Sequence, residues 1–176
     1  TLRTSFGEEP FKTAVLVRLE TDDGIVGWGE APVEVHPGYS SETMGTAAHI
    51  LREFLIPALL GQTVSDATEV PALLGHTRGH PLAKHSVEMA VWDALAQANG
   101  QSLAEAFAAH LPAGHASRGR AKVGVSIGIK PTIEETLAVI GKRLGEGYAR
   151  IKLKIEPGWD VQVAAAVRER YPDILL

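Results

Sequence analysis

The chain has 176 residues, 45% hydrophobic and 22% charged, with a net charge of −4, enough apolar material for a sizeable core in one or two domains. The acidic balance, with no Lys/Arg cluster carrying interleaved aromatics, argues against a nucleic-acid partner, and the absence of cysteine excludes disulfides and thiolate metal sites. No apolar run approaches the roughly 18 residues of a membrane span, and residues 1–5 lack a signal-peptide pattern, so no membrane association and a cytoplasmic location are expected.

The chain starts at Thr1 rather than at a methionine, and its natural N-terminus is expected to lie upstream. Residues 3–10 are polar except for Phe6 and read as a mobile loop. A hairpin follows: residues 13–20, rich in β-branched side chains, a turn at Thr21-Asp22-Asp23-Gly24, then residues 25–30. Pro32, His36, Pro37, Gly38 and Tyr39 make residues 31–40 a second loop. Ser40 or Ser41 is the expected cap of a helix running to about Leu60, where Gly61 stops it and Pro57 bends or ends it early. Further helices are predicted over about 65–74, 81–98 and 102–109, the second closed by Asn99-Gly100. Strands first and helices after is the α+β pattern.

At about Lys122 the pattern changes. Residues 123–129 read as a strand, Thr132 and Glu135 as a capping box opening a helix to about Leu144, and residues 150–155 as a second strand. A Pro157-Gly158 turn, a helix over about 159–170 and a third strand from Asp173 complete a βαβαβ order, which implies parallel strands with right-handed crossovers. The Gly/Ser/Arg-rich residues 114–120 are the expected boundary, giving domains 1–113 and 121–176. A parallel sheet left after Ile174-Leu175-Leu176 would show an apolar edge, so residues 121–176 are expected to open a larger unit.

The most informative stretch is Arg150-Ile151-Lys152-Leu153-Lys154-Ile155. Strand alternation turns Lys152 and Lys154 to one face and the three apolar residues to the other, so the strand packs on its apolar side and the lysine face is expected to look into a cavity that takes an anion. Inward residues at the C-terminal ends of parallel strands are where barrel and open-sheet enzymes place catalytic groups. A lysine there serves either as a base toward carbon or as a Schiff-base amine, and spacing does not separate the two. Ser126, among apolar and glycine neighbours on the first strand, either caps a backbone group or meets the substrate. His76, His80 and His85 straddle Gly79 and Pro81 rather than sharing a helix face, which disfavours a metal site, and Asp93 reads as a structural hydrogen-bond partner.

Six motifs together resemble one group of enzymes: Arg3-Thr4-Ser5-Phe6-Gly7, Gly27-Trp28-Gly29-Glu30, Tyr39-Ser40-Ser41-Glu42, residues 87–93, residues 123–128 and residues 148–155. The chain resembles the N-terminal part of the muconate-lactonizing subgroup of the enolase superfamily, in particular the o-succinylbenzoate synthase and N-acylamino-acid (N-succinylamino-acid) racemase family. The resemblance implies an α+β capping domain, here without its first strand, followed by the first βαβαβ units of a modified (β/α) TIM-type barrel. It implies metal-assisted abstraction of an α-proton from a small carboxylate through an enolate, with a divalent cation, magnesium in the usual case. Carried over residue by residue, Lys154 is the acid/base and Lys152 helps hold the carboxylate. By the same resemblance Ser126 lies by the substrate, and Phe6 and Tyr39 close the pocket. The metal ligands are expected after Leu176, so no metal ligand is assigned here and the segment alone is expected to be inactive. Homo-oligomeric assembly is carried over in the same way. The rival reading is a non-catalytic anion-binding or structural α/β module.

Overall fold

The computed structural model describes residues 2–114 and 119–176, so four residues of the expected boundary, 115–118, lie outside the described residues. Two compact units form: Lys12–Gly119, and Thr1–Phe11 together with Arg120–Leu176.

The larger unit is built on an antiparallel hairpin, β3 (Val15–Glu20) and β4 (Val26–Ala31), paired from Val15 opposite Ala31 to Glu20 opposite Val26. Its turn closes as the Asp-Gly step predicts, with Gly24 N–H donating to Thr21 O at 2.9 Å. After the short helices α1 (Met44–Ile50), α2 (Ile56–Leu59) and α3 (Val70–Leu73) comes the longest element, α4 (Pro81–Ala98), followed by α5 (Leu103–Ala108). The buried face of α4 carries Ala83, Ser86, Val87, Ala90, Val91 and Ala94, mostly small residues at helical spacing. Small side chains on the helix and glycines on β4 let the two backbones touch. A Cβ at Gly27 would sit 2.1 Å from Ala90 O, and one at Gly29 only 1.8 Å from Ser86 O. Trp28 N–H donates to Asp93 Oδ2 at 2.8 Å and Gln97 Nε2 to Val26 O at 2.8 Å, so Asp93 is the structural partner its position suggested. Around this contact Val33, Leu51, Leu55, Val70, Leu74 and Val87 are buried as one core.

Glu42 closes the start of α4 from forty residues away. It is 4% exposed, and its carboxylate accepts from Leu82 N–H at 2.8 Å and Ala83 N–H at 3.0 Å. Those are two of the donors every helix start leaves unpaired, and the residue at the cap position, His80, supplies no side-chain hydrogen bond. His80 takes a left-handed φ of 55°, and among the described residues its buried Nδ1 has no hydrogen-bond partner. Glu42→Ala is expected to destabilise this unit by about 1–3 kcal/mol, because it leaves a buried N–H without an acceptor. Urea unfolding of the variant checks this; a loss below about 0.5 kcal/mol would mean that water replaces the carboxylate.

Two helix expectations are corrected. The cap of α1 is Thr43, which accepts from Thr46 N–H while Thr46 Oγ1 accepts from Thr43 N–H; Ser40 is occupied with Glu42 instead, accepting its N–H at 3.1 Å. Pro57 does not end the helix, which runs on to Leu59. Residues Leu51–Leu55 widen into a π-helical turn in which Ile56 N–H reaches back five residues to Leu51 O. A regular turn would set the Pro57 ring against Glu53 O, and the wider turn relieves that clash.

In the smaller unit β5 (Gly124–Ile127) and β6 (Arg150–Leu153) are parallel, connected by α6 (Ile133–Gly145), and β6 is followed by α7 (Asp160–Arg170). Thr132 caps α6 by accepting from Glu135 N–H at 3.1 Å, so the backbone half of the expected capping box forms. The expected third strand is present as one parallel bridge, Arg150 with Leu175, closed by Ile151 N–H to Leu175 O at 2.9 Å. Residues 3–10 were expected as a loop within a 1–113 domain. They form a hairpin, β1 (Leu2–Thr4) and β2 (Gly7–Glu9), that groups with 120–176, because Ile129 N–H donates to Arg3 O at 3.0 Å. Among the described residues no helix is long and apolar enough to cross a membrane.

Candidate active site

The pairing of β5 with β6 sets which side chains share a face. Val125 stands opposite Ile151 and Ile127 opposite Leu153, and these four join Ile140 of α6 and Val163 and Val167 of α7 in one apolar core. Burying the core members Ile140, Ile151, Val163 and Val167 stabilises the layer by roughly 1.5–3 kcal/mol per side chain, which fixes the strand register against a one-residue slip. The opposite face is thereby determined. Ser126 stands directly opposite Lys152, and Lys154 follows two residues on, just past the C-terminal end of β6, where its N–H continues the ladder to Ile127 O at 2.9 Å.

The structure therefore brings Ser126, Lys152 and Lys154 together at the strand ends. The expected cavity is not formed by these residues themselves: Ser126 and Lys152 are exposed and Lys154 is half-buried. The physical reason is that α6 and α7 supply the apolar layer on one side of two strands, and such a pair has no second layer of its own. Among the described residues neither lysine side chain has a hydrogen-bond or ion-pair partner, so the face presents two uncompensated cationic side chains to an incoming anion.

Phe6 sits in the two-residue turn between β1 and β2 and is 84% exposed. Thr4 Oγ1 accepts from Phe6 N–H at 3.1 Å and fixes that turn. Gly128, directly after β5, is what lets the hairpin lie close: a Cβ there would be 2.9 Å from Leu2 Cδ1 and 3.0 Å from Arg3 O. Tyr39 belongs to the larger unit and is 82% exposed.

Among the described residues no group of three or more His, Cys, Asp or Glu side chains could hold a metal ion, and His76, His80 and His85 form no such group. A divalent cation therefore does not fit the residues present, and no chemical step is assigned to one. Sequence reasoning also passed over Arg3 and Glu156, whose side chains pair at 2.9 Å; 153 residues separate them and no local pattern joins them.

The profile of the mandelate racemase / muconate lactonizing enzyme N-terminal domain family matches residues 2–107. An N-succinylamino acid racemase from an Amycolatopsis species is 47% identical over 174 residues, covering 99% of this chain and 45% of the relative. An o-succinylbenzoate synthase from Geobacillus kaustophilus is 40% identical over 173 residues, covering 98% of this chain and 44% of the relative. Among solved structures, an enolase-superfamily member from Listeria innocua superimposes with a TM-score of 0.84 at 35% identity, covering 98% of this chain and 44% of that one. The chain thus spans less than half the length of the curated relatives it matches.

Proposed function

Because this chain belongs to the mandelate racemase / muconate lactonizing enzyme family, we propose that the full-length protein removes the α-proton of a small carboxylate substrate through an enolate. It acts as an N-acylamino-acid racemase, an o-succinylbenzoate synthase, or both. The observation that carries this reading is the single face shared by Ser126, Lys152 and Lys154 at the C-terminal ends of two parallel strands. In it Lys154 exchanges the proton with the α-carbon from one side. Lys152, its neighbour on the strand, attracts the substrate carboxylate as a point charge, and the Ser126 hydroxyl on β5 offers a hydrogen bond to the same substrate.

We read β5, α6, β6 and α7 as the first units of a (β/α) barrel and the larger unit as the capping domain. Further strands would then supply the cover that the lysine face lacks, and an enolate needs that dry, charge-complementary surrounding. Phe6 and Tyr39 are proposed substrate-side residues on the strength of the resemblance. A divalent cation, magnesium in the finer reading, is a partner of the whole protein, which we propose is a homo-oligomeric cytoplasmic enzyme.

The test is direct. The full-length protein is incubated in D2O with one enantiomer of an N-succinylamino acid, and separately with the hydroxy-acid precursor that dehydrates to o-succinylbenzoate. Racemisation with deuterium appearing at the α-carbon, or formation of o-succinylbenzoate, is the expected result. Racemisation calls for a base on each face of the substrate whereas dehydration can use one, so the two assays also rank the activities. No deuterium uptake and no dehydration under conditions where a relative turns over would sink the proposal.

A further inference from the structure

Arg3 grips the ends of both parallel strands at once. Its carbonyl accepts from Ile129 N–H at 3.0 Å, in the segment after β5, and its guanidinium Nη2 meets Glu156 Oε1 at 2.9 Å, two residues beyond Lys154. The hairpin that carries Arg3 is small, three residue pairs from Leu2 opposite Glu9 to Thr4 opposite Gly7. Two short strands alone are marginal in water, so where this hairpin rests depends on what holds it. Gly128 makes the close approach possible, and the Thr4 hydroxyl ties the turn, so a displacement at Arg3 is carried through Thr4 to Phe6. Phe6 itself contributes little to holding the hairpin, since the residue is 84% exposed.

We infer that the Arg3–Glu156 pair is a latch that positions the Phe6 hairpin at the lysine end of the sheet and so sets affinity for the carboxylate substrate. The inference rests on the proposed active site for its substrate half only. Arg3 and Glu156 are positioning residues: their effect reaches the substrate through the hairpin. With the two side chains 46% and 31% exposed, the pair is screened, and its loss changes the held fraction of the hairpin by up to about fivefold.

The experiment is a double-mutant cycle in the full-length protein with Arg3→Gln, Glu156→Gln and the two combined, together with Arg3→Lys. Two readouts are taken: amide hydrogen exchange over residues 6–8 without substrate, and KM and kcat for the carboxylate substrate. Each single variant is expected to speed hairpin exchange and raise KM about two- to fivefold with kcat within about twofold. The combined variant should be no worse than either single one, and Arg3→Lys should recover most of the loss. Unchanged exchange, losses that add in the combined variant, or faster exchange with an unchanged KM would each overturn the inference. Exchange is read without turnover, so a protein inactive on every carboxylate would refute the proposed function while the cycle still decided whether the latch exists.

Discussion

Lys154→Ala is expected to lower kcat for α-proton exchange by about 10²–10⁴-fold, the usual cost of removing a positioned acid/base. The size of the effect follows from how little else the side chain does. Lys154 is half-buried, its side chain has no hydrogen-bond or ion-pair partner among the described residues, and its structural work is done by the backbone N–H to Ile127 O, which alanine retains. Stability should therefore change by no more than about 0.5 kcal/mol, as at surface positions away from caps and cores. Lys154→Arg sharpens the test, because the guanidinium keeps the positive charge but does not give up its proton at working pH. If Lys154 only attracted the carboxylate, arginine would rescue; if it moves a proton, arginine should be nearly as inactive as alanine. Lys152→Ala belongs on the other side of this distinction and should raise KM more than it lowers kcat. Full deuterium incorporation by Lys154→Ala at the parent rate would remove this residue from the chemistry.

The parts of the fold that could be read from sequence are those whose signal is local. The alternation of Arg150–Leu153 was legible because a strand states it in a few residues, and Ile151 and Leu153 do pack on the apolar side, whereas Ile155, expected with them, lies past the strand end and is 49% exposed. The β3–β4 hairpin was legible from its β-branched runs and the Asp23-Gly24 step. The extent of α4 was marked by Pro81 at its start and Asn99-Gly100 at its end. What could not be read depends on partners far along the chain. Nothing in residues 150–155 says whether a second layer covers the lysine face, and the structure leaves it open. The β1–β2 hairpin has strands of three residues, too short for an alternation signal, and is held by the contacts its Leu2 and Arg3 make with Gly128, Ile129 and Glu156. Ser40, Ser41 and Thr43 are chemically equivalent candidates for a cap. The choice fell to Thr43 because Ser40 secures the turn that delivers Glu42 to the start of α4.

Gly29→Ala should disrupt the larger unit, by about 3 kcal/mol or more. The position needs no unusual backbone angle, so the argument is steric. A methyl group at Gly29 would lie 1.8 Å from Ser86 O, 2.8 Å from Ser86 C and 2.9 Å from Ala90 N, all backbone atoms of α4 that no rotamer change can remove. Strand and helix would have to part by more than an ångström. That parting stretches the Trp28 N–H to Asp93 and Gln97 to Val26 hydrogen bonds and opens the buried seam at Val87 and Val91. Overpacking alone costs about 1–3 kcal/mol when flexible side chains can yield, and here the lost hydrogen bonds add to it. Gly27→Ala, at 2.1 Å from Ala90 O, should behave similarly. Gly24→Ala is the contrast: its φ of +84° makes alanine cost about 1–2 kcal/mol in strain, but no atom within 4 Å opposes the methyl. Urea unfolding followed by Trp28 and Trp92 fluorescence measures all three. A Gly29→Ala midpoint no lower than that of Gly24→Ala would mean that β4 does not lie against α4 as closely as the two backbones indicate.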